Sequence, residues 1–491
     1  MDLRLLIPAL AVWATSIVGL LAPVAVTVGV AAGGLSVGAV AVWCVARGRV
    51  SWRGVGIVIV GAGLTATCAT ALALRQEMRA DHPLAHMSGK VTVTVVVTDD
   101  PVVVGAQRFG RVRTRVAVEM VGPRAVRAAD AELVADEQSW SGLLPGQRVR
   151  TLVRVRPPPR GTLLVASLTA SGTPTLIGQP PGYQRVAGLI RDRLQVNSSR
   201  ALGAESAGLL PGLVLGDVRG LDPDTKADFR AAGLTHLCAV SGSNFAIICG
   251  AVLLAVRSAG ASPRVAAILG MLTIVGFVIL VRPSPSVIRA ALMGAVGLLA
   301  LVSARRAQAF PALGAAVVAG LLWWPELALQ PGFALSVAAT CGLVLWAGTL
   351  AEWLRARRIP VGVAEVAAMA VAAQVVTAPI VAMVAGTFSV VGIVANLLVA
   401  PVVAVISVVG TLAALIGVLG PPDGVGAAIA ELLLRSLGPE LWWMTGVARV
   451  LAGPGWATVE VPDGVVGAMV VSAAMVVIIV AARFVVGRVR R

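Results

Sequence analysis

Charge is scarce in this chain. Of 491 residues only 13% are Asp, Glu, Lys or Arg, while 57% are hydrophobic and the mean hydropathy is +0.89, a balance that excludes an ordinary soluble enzyme. Lysine is limited to Lys90 and Lys226. Neither sits in a Gly-x-x-x-x-Gly-Lys-Ser/Thr loop, so no nucleotide-driven motor is encoded here and any ATP-driven pull must come from a partner. Five cysteines, Cys44, Cys68, Cys238, Cys249 and Cys341, contain no Cys-x-x-Cys pair, and there are only three histidines. That leaves neither a disulfide scaffold nor a metal site, and no cofactor is expected. His82 and His86 flank Pro83 and are read as loop residues.

What the chain does have is long apolar runs. Leu5–Leu21, Val24–Ala46 and Val55–Leu74 open it, and further spans fall near 235–256, 265–281, 286–303, 308–324, 332–350, 361–385, 389–418, 425–451 and 464–482. Each approaches the length needed to cross a hydrocarbon core of about 30 Å. The expectation is a polytopic α-helical membrane protein of about twelve spans. The first run leads through Pro23 straight into the second and is taken as an uncleaved anchor. Segment 425–451, carrying Glu431, Arg435, Glu440 and Arg449, either spans or lies in the interface.

The net charge of +16 comes from 40 basic residues, nearly all arginine, and much of it is topological. Arg47, Arg49, Arg53, Arg257, Arg264, Arg305, Arg306, Arg355, Arg357, Arg358, Arg483, Arg488, Arg490 and Arg491 all thread to one side, whereas the short loops of the other side hold Arg282 alone. The positive-inside rule places the first set in the cytoplasm. The protein is then a multi-pass protein of the cytoplasmic membrane with both termini inside.

Between 76 and 182 the pattern changes to alternation. Val91, Val93, Val95 and Val97 oppose Thr92, Thr94 and Thr98; Arg111, Arg113 and Arg115 oppose Val112, Thr114 and Val116. In the next such stretch Arg148, Arg150, Arg154 and Arg156 oppose Val149, Thr151, Val153 and Val155. Short strands around one apolar face predict a small extracytoplasmic β-barrel. Its arginine rows are either solvated faces or phosphate-docking sites. Phe109 and Trp140 are its only aromatics, so base stacking there is meagre.

Residues 183–232 follow as a connector. Val186, Leu189, Ile190 and Leu194 at helical spacing, surrounded by Arg185, Arg191, Arg193 and Arg200, predict an amphipathic helix on the membrane surface. Then Gly208 to Asp217, broken by Pro211, Gly212 and Gly216, suggests a re-entrant or partly unwound element. Polar groups in a span are costly and usually face a bundle interior or a wet cavity. At 100° per residue one helix face presents His236, Ser241 and Asn244 together. These three either hydrogen-bond neighbouring helices, line a path, or, with Asp217 as orienter, form a serine hydrolase in which His236 is base to Ser241. Five residues of helix between His236 and Ser241 is poor geometry for that relay.

Gly208-x-x-Pro211-Gly212-x-x-x-Gly216-Asp217, Phe229 and Gly233-Leu-x-His236-Leu-x-Ala-Val-Ser241-Gly242 together resemble the core motif of the ComEC competence family. Arg289-Ala290-x-x-Met293, Phe333-x-Leu335-Ser336-x-x-Ala339-x-x-Gly342 and Asn396-Leu-Leu-x-x-Pro401 resemble its later helices in the same order. The resemblance implies an OB-like extracytoplasmic barrel at 76–182, after N-terminal helices at 1–75. It implies a channel bundle at 233–482 with a basic cytoplasmic tail at 483–491. It further implies an inner-membrane channel for single-stranded DNA in natural transformation; with no nuclease or ATPase motif in the chain, no enzymatic activity is expected.

On that reading Asp217, His236, Ser241, Asn244, Arg289, Ser336 and Asn396 line the path, and Arg148, Arg150, Arg154 and Arg156 dock DNA. The partners implied are single-stranded DNA, the lipid bilayer, a separate nuclease, an extracytoplasmic DNA-binding protein and a cytoplasmic ATP-driven helicase. Many family members have a second histidine where this chain has Asn244, which weighs against proton transfer there. No His-x-His-x-Asp motif follows Arg483, so strand degradation is not assigned to this polypeptide. A transporter of another polyanionic solute is the non-enzymatic alternative.

Overall fold

The computed structural model describes residues 4–104, 110–238, 242–302 and 309–489. Phe109, Ser241, Arg305, Arg306, Arg490 and Arg491 lie outside the described residues. The chain divides into two compact units, Met1–Leu189 with Gly314–Leu329, and Ile190–Leu313 with Gln330–Arg491.

The first unit begins with helices α1 (Leu6–Leu21), α2 (Val24–Ala46) and α3 (Trp52–Ala80). Pro23, extended and without an N–H, separates the first two. The third continues six residues past the apolar run because its polar end has work: Gln76 donates to the Gly19 and Ala22 carbonyls at the end of α1. Arg75 donates to the Leu322 and Trp323 carbonyls at 3.3 and 3.1 Å. Carbonyls at helix ends have no partner within their own helix, and these side chains supply one.

The barrel comprises β1 (Gly89–Val97), β2 (Val102–Val104), β3 (Arg111–Val121), β4 (Arg124–Asp136), the short helix α4 (Glu137–Trp140), β5 (Arg148–Arg156) and β6 (Ser167–Leu176). Five strands close in the order β1-β5-β6-β4-β3 and back to β1, with β2 added beside β3. Among the described strands only the β4–β6 pairing is parallel. The predicted alternation holds most cleanly in β5, where every even position is exposed and every odd one buried. Val93, Val95, Val112, Val116, Val149, Val153, Leu133 and Leu168 fill the interior around the fully buried Trp140. Each such aliphatic side chain contributes about 1.5–3 kcal/mol by leaving water.

The second unit contains most of α5 (Gly182–Ala201), then α6 (Ala204–Leu215), α7 (Pro223–Ala231), a 3-10 turn at Thr235–Leu237, α8 (Gly242–Ser258), α9 (Pro263–Val281) and α10 (Pro285–Val302). Helix α11 (Ala309–Trp323) straddles the two units. Next come α12 (Pro331–Gly342), a π-helical stretch at Leu343–Ala347, α13 (Gly348–Arg355) and α14 (Val361–Ala385). After β7 (Thr387–Ser389) follow α15 (Gly392–Ile416), α16 (Val425–Ser436), α17 (Gly438–Ala452), β8 (Thr458–Glu460) and α18 (Val465–Val489). Strands β7 and β8 pair antiparallel.

Among the described residues six helices are long and apolar enough to cross a membrane: Val24–Ala46, Val55–Ala80, Pro263–Val281, Pro331–Arg355, Val361–Ala385 and Gly392–Ile416. Together with the family evidence below, they make this a multi-pass membrane protein. Leu6–Leu21, Ala204–Leu215, Asn244–Ser258, Pro285–Leu299, Ala309–Trp323 and Val465–Val477 are apolar but shorter among the described residues, so helix length alone does not establish twelve spans.

Two expectations need correction. Segment 425–451 is not one span: Gly438-Pro439 starts a new helix, leaving pieces of 12 and 15 residues, each below the length that crosses a bilayer. His236 does not share a helix with Asn244 either. It lies in the 3-10 turn, and α8 begins at Gly242, so the angular spacing of an α-helix does not apply between them. The connector differs in detail as well. In α5 Ile190 and Leu194 are buried, while Val186 and Leu189 are exposed and Arg191, Asn197 and Ser198 share the buried side.

Candidate functional site

The polar residues of the second unit are organised around the C-terminus of α6. This helix is regular through Leu215, with Pro211 inside it, and stops where Gly216 turns left-handed at φ 71°. The Gly216 and Asp217 N–H groups bond back to the Gly212 and Pro211 carbonyls. Such an ending leaves further carbonyls to be satisfied from outside. Asn244 Nδ2 donates to the Leu213 carbonyl at 2.9 Å, and Arg191 Nη1 donates to the Leu215 carbonyl at 2.9 Å and to Leu280 at 3.2 Å. Gly212 is where the 3-10 turn approaches: a Cβ there would lie 2.9 Å from the Cys238 carbonyl oxygen.

Asp217 is buried and held by arginines. Arg219 reaches it through Nε at 2.9 Å and Nη2 at 2.6 Å, and Arg191 Nη2 stands 3.9 Å away. Arg219 also bonds Asp192 at 3.1 Å. Burial alone would raise the Asp217 pKa, but the Arg219 hydrogen bonds and the Arg191 charge overrule it, and the carboxyl is held below its usual range. Asp217 therefore anchors the α6–α7 link.

Arg289 is the buried cation of α10. Its Nε donates to Ser336 Oγ on α12 at 2.6 Å, and Nη1 lies 3.2 Å from Met293 Sδ, one turn along its own helix. Nη2 points at the first turn of α8, where a Cβ on Gly242 would come within 2.6 Å of it. Among the described residues no carboxylate pairs with Arg289. One turn of α8 thus carries Gly242 against Arg289 and Asn244 against α6.

His236 is exposed on the 3-10 turn and bonds the Gly233 backbone. Gly233 packs against Gly392, a Cβ there falling 3.1 Å from the Gly392 Cα. Ser389 Oγ donates to the Ala231 carbonyl at 2.8 Å. Asn396 donates within its own helix, to Gly392 at 2.8 Å, and makes no bond to the Arg289–Ser336 pair among the described residues. Gln374 of α14, unnoticed in the sequence because it is one polar residue in an apolar run, stands beside Gly392. The structure thus joins Arg289 to Ser336 and Asn244 to α6, and sets Gly233, three residues before His236, against the start of α15; Ser241 lies outside the described residues.

On the barrel, Arg148, Arg150, Arg154 and Arg156 are all exposed on one face of β5. They are not equivalent. Arg148 is bound through Nε and Nη2 to Glu119 at 2.7 and 3.2 Å, while the other three make no ion pair among the described residues. Arg113 faces Glu132 at 3.5 Å and Arg115 faces Glu326 at 2.7 Å.

A family model described as Competence protein matches residues 213–485, more than half of the chain. The chain is also 23% identical over 219 residues to ComE operon protein 3 of Bacillus subtilis (strain 168), an alignment covering 45% of this chain and 27% of that protein. The match therefore spans about a quarter of the relative's length. No solved structure gives a significant match.

Proposed function

The chain belongs to the ComEC-type competence protein family, and from that premise we propose that it is the cytoplasmic-membrane channel admitting single-stranded DNA during natural transformation. Family membership supports a role in competence and DNA uptake; the conducting role rests on the bundle. The observation that carries it is Arg289, a guanidinium inside a helical bundle, held by Ser336 and Met293 and with no carboxylate partner among the described residues. A buried charge without a counter-ion is expensive. Passing phosphates provide one. Ser336 and the exposed His236 add hydrogen-bonding capacity to the proposed route.

The barrel is the docking domain. Its closed five-stranded order with a single parallel pair among the described strands supports an OB-like assignment, and the arginine row of β5 engages the strand through phosphates, with little base stacking. Arginines at 47, 257, 264, 355, 357 and 358 support an orientation with both termini in the cytoplasm and the barrel outside. A separate nuclease, an extracytoplasmic DNA-binding protein and an ATP-driven helicase complete the system.

Deletion of the gene in its native host should abolish the nuclease-protected fraction of labelled DNA, and a plasmid copy should restore it. Unchanged protection in the deletion strain overturns the proposal. Uptake blocked equally by excess polyphosphate and by excess DNA would favour a general polyanion transporter instead.

A further inference from the structure

The exterior of the barrel is divided electrostatically. Strands β3 and β4 carry both signs: Glu119 holds Arg148 across the β1 edge, Glu132 faces Arg113, and Arg115 is taken by Glu326. Strands β1, β5 and β6 contain no Asp or Glu at all. Within them Lys90, Arg150, Arg154 and Arg156 are exposed and make no ion pair among the described residues.

Register sets these cations beside hydroxyls. Every odd position of β6 from Ser167 to Thr175 is Ser or Thr. Arg156 pairs with Ser167, Arg154 with Thr169 on one side and Lys90 on the other, and Arg150 with Thr175. Directly opposed residues of antiparallel strands present their side chains to the same face. Between the cations lies Leu152, opposite Thr92 and Ser171 and 39% exposed. Arg154 and Arg156, two residues apart, are separated by about 6.7 Å along the strand, and Arg150 by about twice that from Arg154.

Resting on the DNA-uptake reading, we propose that the incoming single strand lies across the β1–β5–β6 face, with its phosphates on Lys90, Arg150, Arg154 and Arg156 and the Ser and Thr hydroxyls of β6 donating to the same oxygens. The β3–β4 side mixes Glu119, Asp130, Glu132 and Asp136 with its arginines and does not take part. A phosphodiester needs fixed cations free of competing carboxylates, and this face has four. Leu152 gives an apolar floor for a base without selecting its identity. Arg148 belongs to the docking row by sequence only, since a phosphate must first displace Glu119.

The test uses the full chain in detergent and a fluorescein-labelled oligothymidylate of twenty nucleotides, with anisotropy read across a salt series. Changing Lys90, Arg150, Arg154 and Arg156 together to Gln should weaken binding about tenfold or more at low salt. It should also lower the log–log salt slope by up to about 3, because each single-strand phosphate contact contributes ~0.7. Arg111→Gln with Arg113→Gln and Arg115→Gln should leave both nearly unchanged. Glu119→Gln, which frees Arg148, should tighten binding, a gain that a misfolded protein cannot produce.

An unaltered affinity in the quadruple variant, or an equal loss in the β3 variant, overturns the face while leaving the uptake reading intact. A wild-type chain that binds no oligonucleotide overturns both. The remaining occupant, anionic lipid, is read from phosphatidylglycerol retained after detergent exchange. Loss of that lipid with unchanged oligonucleotide binding assigns the face to headgroups and rejects the proposal.

Discussion

Asn244, on the first turn of α8, closes the C-terminus of α6 by donating to the Leu213 carbonyl at 2.9 Å. The bond is fully buried, so its loss exposes nothing to water and leaves a carbonyl unsatisfied in the interior. An orphaned buried acceptor costs about 1–3 kcal/mol. Asn244→Leu should therefore lower membrane abundance and DNA uptake in parallel, as judged by immunoblot and by nuclease-protected label in the same cells. Full abundance with no uptake would instead make Asn244 a path residue.

The Asp217 network makes a pH prediction. Its carboxyl is depressed in the folded state, so the stabilisation it gives is complete above the ordinary carboxylate range and is lost as pH falls through the folded value. Thermal melts of the purified chain should show a lower midpoint at pH 3 than at pH 7. In Asp217→Asn, which removes the buried carboxylate that Arg219 bonds, the pH 7 midpoint should fall, at a cost of about 1–3 kcal/mol. The difference between the two pH values should shrink in that variant. Equal pH sensitivity in both proteins would place the acid-labile group elsewhere.

Much of this was readable from the chain, and what was not has identifiable causes. The β5 row could be read because Val and Arg alternate without interruption, and the β3 row similarly. Strand β4 escaped because its interior positions are mostly alanine, Ala129, Ala131 and Ala135, which give little contrast against charged neighbours. Strand β6 escaped because its outward side is Ser and Thr and Gly172 and Pro174 interrupt its alternation where the pairing with β5 shifts register. The spans were visible as apolar runs, yet the turn at His236 was not, because a non-helical entry into a span has the same composition as the span. Arg191 and Arg219 were visible as charges, but their joint hold on Asp217 is a tertiary fact. Arg289, Ser336 and Met293 stood out through the family resemblance, and only the structure brought the three together.

Topology can be checked by thiol labelling. In a background lacking the five native cysteines, Cys introduced at Arg124 or Arg160, both exposed on the barrel unit, should react with an impermeant maleimide in whole cells. Cys at Arg257 or Arg357, also exposed, should react only after permeabilisation. The opposite pattern would invert the orientation, because the arginine asymmetry is its entire basis.

The last prediction concerns Arg289. If its guanidinium faces a wet, phosphate-occupied path, Arg289→Met should leave the protein in the membrane at normal level and stop the entry of labelled DNA. Met fills much of the same volume and removes the desolvation cost of the charge, so the folded bundle should be at least as stable as before. Arg289→Lys should keep partial uptake, since it retains a cation but loses the Nε donor that meets Ser336 at 2.6 Å. Ser336→Ala frees that Nε without removing charge and should slow uptake less than Arg289→Met does. Gly242→Ala should act on the same group from the other side, because a Cβ 2.6 Å from Nη2 forces the guanidinium to move. A graded loss in that order, at constant abundance, follows from a fixed positive charge on the path. Normal uptake by Arg289→Met would show instead that the arginine only joins α10 to α12, and the conducting route would have to run past other groups.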